Sequence, residues 1–192
     1  LKKTPYTVMV GVNTLYRALG DAPGFREINS RTLKLAIGGG MAVQRAVSDR
    51  WKECTGQPII EGYGLTETSP FVSANPLHAD AYSGTIGLPF PSTDVSIRDE
   101  AGVELPLGEI GELCVRGPQV MKGYWNRPDE TANVLTADGW LRTGDMGFID
   151  PSGYIKLTDR KKDMIIVSGF NVYPNEVEEV VMMHPGVLEA AA

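Results

Sequence analysis

Between positions 61 and 68 the chain reads Glu-Gly-Tyr-Gly-Leu-Thr-Glu-Thr, which sets an aromatic ring (Tyr63), a hydroxyl (Thr66) and a carboxylate (Glu67) close together around Gly62 and Gly64. A nucleotide needs those group types. The ring can stack on a base, the hydroxyl can donate to a phosphate oxygen, and the carboxylate can hold a magnesium ion against phosphate charge. The same residues equally suit a glycine-rich β-α turn whose tyrosine is core and whose threonine and glutamate only cap a helix. Upstream, Gly38-Gly39-Gly40 lacks the Lys and Ser/Thr of a Walker loop and the spacing of a dinucleotide fingerprint. Its use is steric: residues without Cβ let a flat base or an acyl chain approach the backbone, or permit a positive-φ turn. Downstream, Asp145 in Thr143-Gly144-Asp145 can accept two ribose hydroxyls if the turn exposes it; the alternative is local turn chemistry. Arg160, Lys161 and Lys162 read either as a solvated patch or as ribose and phosphate contacts. His78 and His184 stand alone, and no nucleophile-base-orienter set is visible.

The elements that must position these residues follow from periodicity. Val8, Val12, Leu15 and Leu19 have helical spacing, closed by Gly20 and Pro23, so Thr7 to Leu19 is expected to be an amphipathic helix. Leu33 to Ile37 reads as a short apolar strand. A helix from about Ala42 to Cys54 follows, with Val43, Ala46, Val47 and Trp51 on one face and Gly56 ending it. Pro58 to Glu61 reads as a second strand. Strands joined by a helical crossover are parallel neighbours, so the triple-glycine loop and the Tyr63 loop should emerge at one carboxyl edge, where open α/β sheets bind ligands.

After Asn75-Pro76 the pattern becomes short alternating runs, Val95/Ile97, Val103/Leu105, Ile110 and Leu113/Val115, which predict antiparallel β structure forming a small barrel or sheet. Gly147-Phe148-Ile149 and Tyr154 to Leu157 flank Asp150-Pro151-Ser152-Gly153, a hairpin with its turn. A strand from Met164 to Val167 leads to a helix opened by Pro174, in which Val177, Val180, Val181 and His184 share a face and Asn175 and Glu178 have capping-box spacing.

Composition excludes several classes. With 42% hydrophobic and 22% charged residues the 192-residue chain is globular rather than disordered. A net charge of −6 and no basic run longer than Arg160-Lys161-Lys162 argue against nucleic acid as a partner. Cys54 and Cys114 lack a second Cys or His at ligand spacing, which points away from a zinc site or disulfide framework and toward a cytoplasmic setting. No apolar run approaches the roughly 18 residues of a membrane span. Leu1-Lys2-Lys3-Thr4-Pro5-Tyr6 lacks a signal peptide's apolar core, and both ends read as cut from a longer chain.

The motif at 61–68 resembles the adenine-and-magnesium motif of the adenylate-forming superfamily: acyl-CoA synthetases, luciferases and peptide-synthetase adenylation domains. Gly123-Tyr124-Trp125-Asn126-Arg127-Pro128 resembles the motif midway through that family's β subdomain. Asp138-Gly139-Trp140-Leu141-Arg142-Thr143-Gly144-Asp145, continuing through Asp159-Arg160-Lys161-Lys162-Asp163, is similar to the fatty acyl-CoA synthetase signature. Ser168 to Glu176 resembles the stretch past the family's hinge, and the whole is most similar to bacterial long-chain fatty acid CoA ligases.

The resemblance implies an α/β fold: a partial parallel β-α-β layer (residues 1–76, part of an N-terminal adenylate-binding subdomain), an antiparallel β-barrel-like subdomain (77–160), then the hinge and the start of a small, truncated α+β C-terminal domain (161–192). It implies that Gly38, Gly39 and Gly40 line the adenine and acyl region, that Tyr63 and Gly64 form the adenine-stacking motif, that Thr66 contacts the α-phosphate and that Glu67 binds magnesium. Asp145 and Arg160 would hold the ribose hydroxyls, Lys162 would be the hinge, and Ser168 and Gly169 would border the pantetheine path. ATP/AMP, magnesium and CoA are the implied cofactors, and a fatty acid, ATP and CoA the substrates. Peripheral association of the complete enzyme with the inner face of the membrane and a homodimer are compatible with this reading. The family's phosphate loop and C-terminal lysine lie outside this sequence, so the chain by itself is expected not to catalyse. The signature commonly has His where Arg142 stands, an exchange that sequence alone does not explain. Acyl-AMP ligases, other adenylate-forming enzymes and a non-catalytic truncated binding module are the alternatives.

Overall fold

A computed structural model describes residues 4–167, 170–184, 186–187 and 190–192. The chain divides into two compact units, Leu1–Pro91 and Ser92–Ala192.

The first unit opens with β1 (Val8–Gly11), α1 (Asn13–Asp21), β2 (Leu35–Gly38), α2 (Arg45–Thr55) and β3 (Ile59–Gly64), and continues through β4 (Phe71–Ala74) and β5 (Leu88–Pro89). β1, β2 and β3 lie side by side in parallel, and β4 and β5 add antiparallel strands in the order β1-β2-β3-β4-β5. The expected parallel β-α-β arrangement is present, with one more parallel strand than expected and the antiparallel β4 and β5 added beside it. Val8 to Gly11 is not helical: it pairs residue for residue with Leu35 to Gly38. The β-branched Val8 and Val10 favour the pleated strand, and the helical spacing of Val8 with Val12 is coincidental. The helix begins at Asn13, and its buried positions are Asn13, Tyr16 and Gly20 rather than Leu15, which stays exposed.

Both helices press on one face of the sheet. Trp51 is the centre of the core, with Tyr16 edge-on at 4.8 Å and Phe25 at 5.4 Å; Leu33, Ala36, Val43, Val47 and Ile59 fill the layer around them. On α2 it is Ser48, not the expected Ala46, that joins Val47 and Trp51 in the interior. The Tyr16 hydroxyl donates across the strand pair to Met9 O (3.1 Å) and Ile37 O (2.7 Å), which stitches α1 to β1 and β2. Gly56 closes α2 in the left-handed region (φ 77°), the role its position after the apolar periodicity forecasts.

In the second unit, β6 (Asp94–Arg98), β7 (Gly111–Arg116), β8 (Leu141–Ile149) and β9 (Ile155–Arg160) form an antiparallel sheet in chain order, with α3 (Pro128–Val134) between β7 and β8. The expected barrel does not close. With four strands, β6 and β9 remain the sheet's edges, too few for a barrel's circumference. The hairpin at 150–153 forms as its sequence demands: Asp150 Oδ1 accepts the amides of Ser152 and Tyr154, and Gly153 N donates to Asp150 O. Leu113, Val115, Leu141, Ile155 and Trp140 make the apolar side, and the guanidinium groups of Arg98 and Arg116 lie over the Trp140 ring at 4.3 and 4.6 Å.

Beyond β9 come the antiparallel pair β10 (Ile165–Val167) and β11 (Phe170–Val172) and then α4 (Pro174–Met182), with Pro174 in the first turn as expected. The capping box is absent, however. Asn175 N donates to Asp159 Oδ2 (3.1 Å) and Asn175 Nδ2 donates to Thr158 O (3.2 Å), so β9 supplies the cap that the Asn175/Glu178 spacing suggested was local. Val177, Val180 and Val181 are exposed. Among the described residues no helix is long and apolar enough to cross a membrane.

Candidate functional site

The carboxyl ends of β2 and β3 meet where the parallel pairing predicts. Gly38 pairs with Glu61, and Gly39 N donates to Gly11 O at 3.2 Å. A Cβ on Gly38 would lie 2.5 Å from Val43 Cγ2 and 2.7 Å from Ile59 Cγ2; on Gly39 it would lie 3.1 Å from Gly62 O. Gly40 has φ 81°, the left-handed conformation that turns the chain toward α2. Gly38 therefore belongs to the strand and serves packing, while Gly39 and Gly40 form the bare backbone edge beside Gly62.

Glu61 is the residue that sequence reasoning passed over. It is only 8% exposed, and its Oε1 accepts the Val43 amide at 3.3 Å. Burial dominates its titration and raises the pKa from 4.5 to about 7, partly offset by the Val43 hydrogen bond. The signal was present: a carboxylate directly after Pro58-Ile59-Ile60, inside a strand that reads as buried, requires a partner. Asn13 acts on the same turn, since Gln44 N donates to its Oδ1 at 3.0 Å.

Tyr63 and Gly64 were expected in a loop; instead they end β3 and pair antiparallel with β4, Tyr63 opposite Ser73 and Gly64 opposite Phe71, with a register shift between them. Gly64 has no room for a side chain. Its Cβ would stand 2.6 Å from the Pro70 carbonyl carbon and closer still to the oxygen. The turn that follows is tied by Thr68, fully buried, whose Oγ1 accepts Leu65 N (3.0 Å) and donates to Pro70 O (2.6 Å). Leu65 N also donates to Pro70 O at 2.9 Å. A single turn of 3-10 helix, Thr66–Thr68, then presents Thr66 exposed and Glu67 half-buried. The last threonine of the motif is thus the anchor for the two residues whose chemistry drew notice.

In the second unit, Asp145 and Arg160 are brought together as directly opposed residues of β8 and β9, Arg160 Nε 3.3 Å from Asp145 Oδ1. Asp145 lies inside a strand rather than in an exposed turn and is 6% exposed, whereas the Arg160 side chain is 57% exposed. Asp145 N donates to Thr143 Oγ1 (3.1 Å), and Thr143 Oγ1 donates to Leu113 O (2.8 Å). Gly144 has φ 75° and open space where a Cβ would be. Lys161 N donates to Gly144 O at 2.9 Å, and Lys162 sits exposed in the turn after β9. Ser168 and Gly169 lie outside the described residues.

Among the described residues no group of three or more His, Cys, Asp or Glu side chains could enclose a metal ion.

The family model described as AMP-binding enzyme matches residues 1–125. The chain is 56% identical over 191 residues to a long-chain-fatty-acid–CoA ligase of Yersinia pestis, covering 100% of this chain and 34% of that protein. Among solved structures, ATP-bound MatB from Rhodopseudomonas palustris superposes with a TM-score of 0.88 at 39% identity, over 96% of this chain and 37% of that one. The amide bond synthetase McbA from Marinactinospora thermotolerans superposes with a TM-score of 0.90 at 34% identity, over 98% and 38%. The chain spans about a third of the length of the curated relatives it matches.

Proposed function

Because this chain belongs to the family of AMP-binding enzymes, we propose that it is part of an AMP-forming ligase that activates a long-chain fatty acid with ATP and passes the acyl group to CoA. The observation that carries this reading is the 56% identity maintained over the whole chain to a long-chain-fatty-acid–CoA ligase. In the first half-reaction a carboxylate oxygen of the fatty acid attacks the α-phosphorus of ATP, pyrophosphate leaves and acyl-AMP forms. In the second, the CoA sulfur attacks the acyl carbon and the bond to AMP breaks.

The residues fit distinct parts of that task. Tyr63, at the end of β3, offers its ring to adenine, and Gly39 and Gly40 leave the neighbouring backbone open to a flat base. Thr66, exposed on the 3-10 turn, donates to the α-phosphate, and the Glu67 carboxylate would hold magnesium. Magnesium bound there neutralises charge building on the phosphates. Asp145, with Arg160 beside it, accepts the ribose hydroxyls. Lys162 is our hinge residue, and Ser168 and Gly169 border the path of the CoA arm. The three-part division at residues 76 and 160 belongs to the same proposal, as do cytoplasmic location, peripheral contact at the inner face of the membrane and a homodimer. Flotation with lipid vesicles and light scattering of the complete protein test the last two.

A second reading keeps adenylation and changes the acceptor, and the superposition on an amide bond synthetase supports keeping it. Incubating the complete protein with a long-chain fatty acid, ATP, magnesium and CoA separates the two. Acyl-CoA and AMP in equal amounts are expected; acyl-AMP accumulating in the presence of CoA would sink the ligase reading.

A further inference from the structure

Glu112 is a carboxylate with an 8% exposed side chain in the middle strand pair of the second unit, and none of the proposed contacts uses it. Each of its oxygens is engaged separately. Oε1 accepts the amide of Gly144 at 3.1 Å. Oε2 accepts from two guanidinium nitrogens of Arg142, Nε at 3.2 Å and Nη2 at 2.8 Å. Lys161 Nζ stands 4.0 Å from the same Oε2. The register between β7 and β8 shifts between Glu112 and Cys114, so the regular ladder is interrupted beside Gly144, and a side chain takes the amide that the ladder leaves. Gly144, at φ 75°, is the pivot that fixes how the next residue, Asp145, is set within β8 opposite Arg160.

We infer that Arg142 and Glu112 are a positioning pair for Asp145, and that they set the enzyme's grip on the ribose hydroxyls of its nucleotide; this rests on the ribose reading of Asp145. The chemistry favours arginine at position 142. A guanidinium fork engages one carboxylate oxygen with two donors and leaves the other oxygen aimed at Gly144 N, whereas an imidazole offers at most one donor in that direction. Thr143 completes the frame, since its hydroxyl donates to Leu113 O and accepts Asp145 N, so residues 143–145 are held from β7 at two points. Neither Arg142 nor Glu112 is offered as a catalytic residue: both act through the backbone of Gly144.

The test compares ATP with 2′-deoxy-ATP as substrates of the complete protein, measured as kcat/KM for wild type, Asp145→Ala, Arg142→Lys and Glu112→Gln. Arg142→Lys keeps the charge that neutralises Glu112 and loses the fork. Glu112→Gln leaves one acceptor oxygen for the three N–H donors of Gly144 and Arg142. Both should fold, which thermal melts without nucleotide verify, and each provides the measurement if the other does not. The expected result is that the preference for ATP over the deoxy substrate falls about tenfold in Asp145→Ala, the size of one hydrogen bond to a charged group, and falls in the same direction in both positioning variants. A merely structural pair would lower stability and leave the preference untouched. Retained preference in Arg142→Lys and Glu112→Gln, with loss in Asp145→Ala, overturns the positioning inference alone. Retained preference in Asp145→Ala overturns the ribose reading, and the inference with it.

Discussion

Glu61 Oε1 lies 3.3 Å from the amide nitrogen of Val43, so a carboxyl on β3 holds the backbone that leaves β2 through the triple glycine. Because burial raises the Glu61 pKa from 4.5 to about 7, the group prefers to be protonated in the folded protein. Below pH 4.5 it is neutral folded or unfolded and costs nothing. As pH rises from 4.5 toward 7 the unfolded chain ionises first, so folding stability drops, and above 7 the loss levels off at about 3 kcal/mol. Glu61→Gln keeps an acceptor for Val43 N and cannot ionise. Urea unfolding of both proteins at pH 5 and pH 8 should show the variant gaining stability over wild type at pH 8 and little or none at pH 5. Parallel pH profiles would contradict this account.

Thr68 carries the shape of the turn that bears Thr66 and Glu67. Thr68→Val keeps the volume and deletes the hydroxyl that links Leu65 to Pro70, and Leu65 N retains its bond to Pro70 O. The expected cost in unfolding free energy is about 1–3 kcal/mol, that of removing a buried hydrogen-bonding group. Calorimetric titration with ATP and magnesium should show weaker binding in addition. Gly64→Ala should be worse, because its Cβ meets backbone at Pro70 rather than a side chain that can move.

The three tryptophans occupy distinct surroundings. Trp51 is fully buried, Trp140 is 7% exposed beneath Arg98 and Arg116, and Trp125 is 89% exposed. Iodide should therefore quench chiefly Trp125, and Trp125→Phe should remove most of the quenchable emission with little change in stability. Trp140→Leu loses ring area and two cation–π contacts together, for an expected destabilisation of about 2–4 kcal/mol in denaturant melts. Equal quenching in wild type and Trp125→Phe would show that the exposed ring is covered in the complete protein.

How far the sequence was legible depends on the range of the interaction involved. Gly56 after α2, Pro174 opening α4 and the Asp150–Gly153 turn are local devices, and each stands where its residues indicate. Val8 to Gly11 has helical spacing in sequence, and its strand character comes from pairing with Leu35 to Gly38, residues distant in the chain. The same holds for Tyr63 and Gly64, whose glycine-flanked sequence suggests a loop, since β4, which pairs with them, has no strong periodicity. Among the candidate site residues, Tyr63, Thr66, Glu67, Asp145 and Arg160 were visible by type, and the opposition of Asp145 to Arg160 was not, because it depends on the register of β8 against β9. Glu61 and Thr68, though they bound the motif, and Glu112 stand outside the candidate site residues. Each acts by binding backbone amides or carbonyls, and only Glu61, a carboxylate directly after an apolar strand run, carries a sequence signal of it.

Asp159 supplies the contrast between a cap read from spacing and a cap built by the fold. Its Oδ2 accepts Asn175 N in the first turn of α4 at 3.1 Å, and its Oδ1 accepts Arg160 N at 2.7 Å. A carboxylate in that position satisfies an amide that the helix leaves unpaired and interacts favourably with the positive end of the helix dipole. The capping-box expectation instead makes Glu178 the residue that matters, yet the described contact of Glu178 is with the Ala192 amide. Asp159→Ala should therefore destabilise α4 by about 1–2 kcal/mol, and Glu178→Ala should stay within about 0.5 kcal/mol of wild type. Hydrogen exchange at the Asn175 amide of the complete protein distinguishes the two origins of the cap: exchange should accelerate in Asp159→Ala and be unchanged in Glu178→Ala. The reverse pattern would restore the local capping box and remove Asp159 from the support of α4.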